Sequence, residues 1–409
     1  MPQFYDNRII GVPNRDFTPD EAARLGEQFG SALGKGSVVV SGRDYNPASR
    51  MLKRAFTSGL MSVGVEVMDF HESLSGEISF SIKRFGAKGG FLFTTSHSVK
   101  DSVMLKLFKS PGYELLASRL SIGESEVKRV GLGEIGWVMY SEYIHKLYVS
   151  ALLSFVKVDE IITRGFRVVV HTAYSPADTI VPDVLKALEV DYVLLHNVKA
   201  KAYESMYPFT KELERVADIV RATEAEIGVV VNNDASSLVV LDEKGRILLP
   251  EELMMLITLN APRGSQVIAE TRVPGVFKEL LASREVSVAE VGSEENLIDS
   301  MYKARPFIAL RHTGHFAVPL FSLGYDALIT LVKLLESLAF AKTRPSALVD
   351  KYRSRAYAEV GRLKAEEVGA AKQGLKPTIY GFSEYTREVL RYLVFNPDDQ
   401  TYSLLEPRL

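Results

Sequence analysis

Two hydrophobic periods alternate in series along this chain, and that alternation restricts the fold more than any other feature. Short apolar runs recur at Val38-Val39-Val40, Val65-Glu66-Val67-Met68, Phe91-Leu92-Phe93, Val168-Val169-Val170, Val229-Val230-Val231, Gln266-Val267-Ile268-Ala269 and Phe307-Ile308-Ala309-Leu310. Between them lie segments whose apolar residues return every three or four positions, as from Pro47 to Val63, Ala177 to Leu188, Lys211 to Ala222 and Gly275 to Leu281. Short unbroken apolar runs read as strands buried on both faces, and the helical segments between them read as crossovers of a mainly parallel sheet. The expected fold is therefore α/β: three consecutive α/β/α domains of related build at 1–150, 151–246 and 247–343, then a small α+β domain at 347–409. Thr343-Arg344-Pro345-Ser346 reads as a linker, since proline bars helix continuation. Two further helical features are expected. One is an apolar face through Trp137, Tyr140, Tyr143, Ile144, Tyr148 and Leu152, and the other is a long amphipathic helix from Tyr325 to Ala341.

The apolar run Phe91-Leu92-Phe93 breaks abruptly into Thr94-Thr95-Ser96-His97-Ser98-Val99-Lys100-Asp101. The end of a buried strand is where α/β proteins place their chemistry. Ser96, His97 beside it and Lys106 ten residues on form the parts of an activated hydroxyl: a nucleophile, a polarising group and a cation. A plain serine-rich capping turn is the competing reading of the same residues.

Charge and composition remove several classes of function. Lys and Arg total 49 against 51 Asp and Glu, and no long basic run is present, so nucleic acid and anionic membrane are not expected partners. The absence of cysteine excludes disulfides, thiolate metal sites and a cysteine nucleophile, and fits a cytoplasmic protein. The N-terminus Met-Pro-Gln-Phe-Tyr-Asp-Asn-Arg has no apolar signal core, and no stretch reaches the roughly 20 apolar residues of a membrane span.

The order of several loops resembles the α-D-phosphohexomutases, the phosphomannomutase/phosphoglucomutase family. Gly42-Arg43-Asp44, followed by Ser49, Leu52 and Gly59-Leu60, is similar to that family's G-R-D-x-R-x-S-S segment. Thr94-Thr95-Ser96-His97 through Lys106 is similar to its T-A-S-H-N-P-x-x-x-N-G-x-K serine loop. Asn232-Asn233-Asp234-Ala235-Ser236-Ser237 falls where the family has D-G-D-A-D-R, and Arg311-His312-Thr313-Gly314-His315 where it has G-E-x-S-G-H. The resemblance implies a serine that carries a phosphoryl group, gives it to a sugar phosphate and takes the other one back, with Mg²⁺ and cationic side chains neutralising charge. By position it implies Ser96, His97 and Lys106 as the catalytic group. Arg43, Arg311, His312, Thr313 and His315 would contact substrate, and Ser96, Asn232, Asp234 and Ser236 would face the metal.

Every loop departs from the pattern. Of the three family aspartates only Asp234 remains, the others being Asn232 and Ser236, and the arginine after them is Ser237. Two lost carboxylates lower the expected Mg²⁺ affinity sharply. A glutamate that would accept sugar hydroxyls is Arg311, which only donates; it is expected at the surface, or with His312 and His315 at an anion. No R-x-S-G-T-E-P phosphate loop occurs from Ala347 onward; the positional match, Phe395-Asn396-Pro397-Asp398-Asp399-Gln400-Thr401, carries two carboxylates. The arginine positions of two other segments are Ile10 and Asn46. The expectation is a family member that has lost efficient mutase turnover, keeping the fold to bind a hexose phosphate, another small anion, a protein partner or a second copy of itself. The alternative is an active Mg²⁺-dependent mutase working through phosphorylated Ser96. Ser96, Asp234 and Arg311 are expected to face one cleft.

Overall fold

In a computed structural model the apolar runs become strands of three of the four separate sheets. The structure describes residues 2–5, 8–96, 99–116, 127–141, 143–195, 210–364, 376–378, 381–385 and 390–409. The first sheet runs in the order Gln3–Tyr5, Arg8–Gly11, Val103–Lys109, Gly89–Thr95, Val38–Arg43, Glu66–Glu72 and Val138–Tyr140, with Tyr113–Glu114 added beside Val103–Lys109. Val38–Arg43 lies parallel to both Glu66–Glu72 and Gly89–Thr95, whereas Gly89–Thr95 and Val103–Lys109 form an antiparallel hairpin. Side chains alternate across a strand. Phe91 and Phe93 therefore pack with Phe29 and Phe56 on one face, and Leu92 packs with Ile78, Ile82 and Phe108 on the other.

The second sheet orders Asp191–Leu195, Arg167–His171, Ile227–Val231, Leu238–Asp242 and Ile247–Leu248. The third orders Ser287–Glu290, Gln266–Glu270, Ile308–Arg311 and Phe316–Ala317. The fourth is antiparallel throughout: Tyr357–Lys364, Thr401–Pro407, Leu390–Asn396, Gly381–Tyr385 and Lys376–Thr378. One continuous apolar core joins the second and third sheets to Tyr357, Leu390, Tyr392 and Val394 of the fourth. Glu251 of the helix Pro250–Ile257 pins that last sheet. It is fully buried and accepts hydrogen bonds from Thr271 Oγ1, Tyr357 Oη and Tyr392 Oη at 2.7, 2.8 and 2.8 Å.

In the first domain, the helices Pro19–Leu33 and Pro47–Ser62 cross backbone to backbone. A Cβ on Gly59 would lie 2.0 Å from the Ala23 carbonyl oxygen, and one on Gly26 would lie 2.2 Å from that of Phe56.

Three expected elements differ. Val138–Tyr140 is a strand at the edge of the first sheet, and the helix begins only at Ile144. Trp137, Tyr140 and Tyr143 share the spacing of a helical face but are 71, 68 and 78% exposed, because pairing of this segment with Glu66–Glu72 overrides that spacing. The helix Ala327–Ala341 is not amphipathic. It is buried without a break from Ala327 to Ala339, since it lies inside the shared core, and its Lys333 and Glu336 pair with each other. Pro345 opens the short helix Pro345–Val349, in the position where a missing N–H costs nothing. Among the described residues no helix is long and apolar enough to cross a membrane.

Asp326 caps the buried helix. Its Oδ1 accepts from the N–H groups of Leu328 and Ile329 at 2.9 and 3.2 Å, and its Oδ2 accepts from Tyr148 Oη at 2.6 Å. Burial raises the Asp326 pKa to about 6, although the Tyr148 and backbone donors favour the charged form. A folded-state pKa above the unfolded value means a contribution present below about pH 4 and lost as pH rises through about 6. Denaturation of wild type and Asp326→Asn between pH 4 and 7.5 should show the difference between them shifting by about 2–3 kcal/mol in the variant's favour. A gap that does not change with pH would contradict this assignment.

Candidate functional site

The serine loop is the connection of an antiparallel hairpin. Thr95 pairs with Val103 and Leu92 with Lys106, so Ser96 and Ser102 face each other at the carboxyl end of the strand Gly89–Thr95. Ser96 N–H donates to the Ser102 carbonyl at 2.8 Å, and Ser96 Oγ accepts from Val99 N–H at 3.0 Å. Asp44 braces the hairpin from the adjacent strand. Its Oδ2 accepts from the Thr95 N–H at 2.5 Å and the Thr95 hydroxyl at 2.7 Å. Burial raises the Asp44 pKa, and these donors offset part of the rise. Asn46 accepts from Ala48 N–H to cap the next helix and donates to Thr95 Oγ1 at 3.1 Å. The pair Asn46-Pro47 is a helix-start signal, which gives Asn46 a local reason to stand there. Ser96 is 1% exposed, and His97 lies outside the described residues.

Lys106 has no exposed surface, and its ammonium sits among three acceptors. Nζ lies 2.6 Å from Asp234 Oδ2, 2.9 Å from Ser236 Oγ and 3.1 Å from Glu114 Oε1. Glu114 and Ser236 accept hydrogen bonds from the ammonium, and Asp234 opposes its charge as an ion pair. The loop answers in kind. Ser236 Oγ donates to Asp234 Oδ1 at 2.7 Å and accepts from Lys106 and from Asn232 Nδ2 at 3.1 Å, using its donor and both lone pairs. Asn232 Oδ1 accepts from the Ser237 N–H at 3.1 Å.

This arrangement does not fit Mg²⁺. A hard divalent cation needs several oxygen ligands at short range, yet the one carboxylate of the loop and its serine hydroxyl both face a lysine ammonium. Among the described residues no group of three or more His, Cys, Asp or Glu side chains could hold a metal.

The third loop joins the same junction through the backbone. Ser237 forms a β-bridge with His315, and Leu238 N–H donates to the Gly314 carbonyl at 3.0 Å. Arg8, which pairs with Lys106 across two strands of the first sheet, reaches His315 Nε2 with Nη2 at 3.0 Å. A guanidinium only donates, so His315 Nε2 accepts, and its Nδ1–H donates to Thr313 Oγ1 at 2.8 Å. Arg311 is not a surface arginine. Its side chain is 12% exposed and paired with Glu294 at 2.8 Å and Glu270 at 3.2 Å. Burial opposes its charge, but the two carboxylates outweigh burial and raise its pKa. Burial likewise pushes Glu294 up, with Arg311 opposing. Glu270 ends below the usual range, because His312, at 3.4 Å, and Arg311 overcome the cost of burying it. A guanidinium held by two buried carboxylates is already neutralised, which removes the reason to expect an anion there.

Ser96, Asp234 and Arg311 thus belong to elements that meet at one junction, where the Ser96 and Asp234 side chains are buried and that of Arg311 is 12% exposed. Arg43 is turned away from it. The Arg43 guanidinium donates to the Asp44 carbonyl at 2.9 Å and pairs with Glu72 at 2.8 Å, facing the opposite side of the first sheet. Glu114, Glu270, Glu294 and Arg8 were not singled out in the sequence. A signal existed for Glu114 alone: a lysine inside the apolar strand Val103-Met104-Leu105-Lys106-Leu107-Phe108 requires a buried acid beside it.

A series of α/β sheets with a serine hairpin, an aspartate loop and a histidine loop meeting at their ends defines the class. Residues 1–128 match "Phosphoglucomutase/phosphomannomutase, alpha/beta/alpha domain I" and residues 146–245 match domain II of the same family, together more than half of the chain. The chain belongs to the phosphoglucomutase/phosphomannomutase family. It is 27% identical over 358 residues to a phosphoglucomutase/phosphomannomutase of Thermococcus kodakarensis, covering 84% of this chain and 78% of that one. It is 25% identical over 374 residues to a phosphoglucosamine mutase of Shouchella clausii, covering 85% and 83%. A solved family protein from Burkholderia thailandensis superimposes with a TM-score of 0.78 at 21% identity, over 100% of this chain and 94% of that one, a likeness of fold.

Replacing Lys106 by methionine keeps its length and removes its charge, leaving Asp234 and Glu114 buried without their cation. Loss of one partner from such a site costs about 3–5 kcal/mol. Urea denaturation of Lys106→Met should show a loss of that size, and a change below about 1 kcal/mol would mean that the ammonium is not what neutralises these acids.

Proposed function

We propose that this protein keeps the phosphohexomutase fold while turning over hexose phosphates at or near background, and that it works by binding a sugar phosphate, another small anion or a partner protein. The observation that carries this reading is the Lys106 ammonium bonded to Asp234, Glu114 and Ser236, all at most 2% exposed. Phosphoryl transfer depends on positioning and on neutralising charge over the transferring oxygens. Here the cation nearest the aspartate loop is spent on carboxylates, and so is Arg311 in the third loop. Ser96 is buried where an acceptor sugar would have to approach its oxygen. Losing a single preorganised electrostatic contact costs about 10²- to 10³-fold in rate, and several are lost together.

The competing reading is an Mg²⁺-dependent mutase acting through phosphorylated Ser96. It is supported by relatives named as phosphoglucomutase/phosphomannomutase and phosphoglucosamine mutase. It requires the junction to open, Lys106 to release its carboxylates and a metal to enter.

A coupled assay separates the two. Glucose 1-phosphate, mannose 1-phosphate and glucosamine 1-phosphate are supplied with a bisphosphate primer and Mg²⁺, beside a Ser96→Ala control. The expected result is turnover near background and equal in the two proteins. Robust turnover abolished by the substitution would establish the competing reading.

A further inference from the structure

On the side of the first sheet away from the junction, a crevice of about 270 Å³ lies between the helix Pro47–Ser62 and the edge strand Val138–Tyr140. Its lining includes Arg43, Arg50, Arg54, Thr57, His71 and Tyr140.

A backbone irregularity builds one wall. The strands Val38–Arg43 and Glu66–Glu72 pair in register up to Ser41 with Asp69, but Arg43 then pairs with Glu72, so the second strand holds one extra residue. His71 takes it up with φ of 60°, a left-handed conformation that a non-glycine residue adopts only when its surroundings hold it there. Its N–H donates to Asp69 Oδ1 at 2.7 Å. The bulge turns the imidazole outward onto Tyr140, with ring centroids 5.2 Å apart and planes 6° from parallel. Bulges and strained residues of this kind gather at ligand sites.

The opposite wall is cationic. Arg50 and Arg54 stand one helical turn apart and are exposed, and neither has a carboxylate within ion-pair distance among the described residues. The acids nearby are already committed: Asp69 pairs with buried Lys53, and Glu72 pairs with Arg43. The crevice thus presents two uncommitted guanidiniums, the Thr57 and Ser58 hydroxyls and an aromatic stack. Guanidiniums bind phosphate oxygens in bidentate fashion, and hydroxyls supplement them.

We propose that this crevice is a binding site for a small phosphomonoester, its dianion held by Arg50 and Arg54 and its body laid against the His71–Tyr140 stack. The site is separate from the Ser96 junction, and it holds whether that junction is catalytic or silent. It also gives Arg43 a role on this face of the sheet, where it fixes Glu72 so that the acid does not compete for the guanidiniums.

Calorimetric titration of the full chain with AMP and with glucose 6-phosphate tests the site. At least one should bind saturably, and Arg50→Ala/Arg54→Ala should weaken it tenfold or more without lowering the melting temperature, while Ser96→Ala leaves it unchanged. If AMP binds more tightly and Tyr140→Ala removes the difference, the ligand is a nucleotide; tighter binding of glucose 6-phosphate makes it a sugar phosphate, and equal binding means that the phosphoryl group alone is recognised. No saturable binding of either, or binding that Ser96→Ala abolishes and the double arginine variant does not, would overturn the proposal.

Discussion

A lysine ammonium placed where no water reaches it dictates the arrangement around it. Burying an unpaired charge is prohibitive, so the side chains that surround Lys106 must supply acceptors and opposite charge. Glu114 comes from the strand beside it, and Asp234 and Ser236 come from the loop that follows the strand Ile227–Val231 of the next sheet. The lysine therefore ties the serine hairpin of the first domain to the aspartate loop of the second. The sign of the charge also matters. A loop with three carboxylates would need a divalent cation, whereas one carboxylate, an amide and a hydroxyl are balanced by a single ammonium and the neighbouring glutamate.

The pattern of alternating charge continues into the third sheet. Glu114 and Arg8 both lie close enough to bias Glu294, which pairs with Arg311, which in turn pairs with Glu270. Arg8 closes the set through His315 and Thr313. Of the positions that resemble substrate contacts, His315 reaches Arg8 of the first sheet and bridges Ser237 of the second, whereas Arg311 and His312 pair with acids of their own domain. At the far end the C-terminal sheet is fastened in the same style. The buried Glu251 gathers three hydroxyls, and Glu252 takes Arg353 beside it. Buried polar networks of this kind favour one arrangement of the domains over alternatives, because each partial opening exposes several unsatisfied groups at once.

Much of the fold was legible because its signals are local. The runs at Val38, Phe91, Val168 and Val229 are strands, and the helices between them carry apolar faces of the right period. Misreadings arose where tertiary context overrode period. Trp137, Tyr140 and Tyr143 are spaced like a helix but lie on or beside an edge strand, and Ala327 to Ala339 are buried all round because they lie inside the shared core. The site was legible only as a set of loops. Ser96, Lys106, Asp234 and Arg311 could be placed by order and spacing, but their partners Glu114, Glu270 and Glu294 lie far off in sequence and carry no motif. Arg311 shows the cost of that gap. Alone it reads as a surface cation, and only its two acids reveal a buried tie.

The central claim is that Lys106 occupies the place a divalent cation would need, and calorimetric titration of Mg²⁺ into the unphosphorylated protein tests it most directly. The account predicts no saturable binding below millimolar metal. Tight, stoichiometric binding that disappears in Asp234→Asn would contradict it, because the ion could then displace a lysine that the structure holds by two hydrogen bonds and an ion pair.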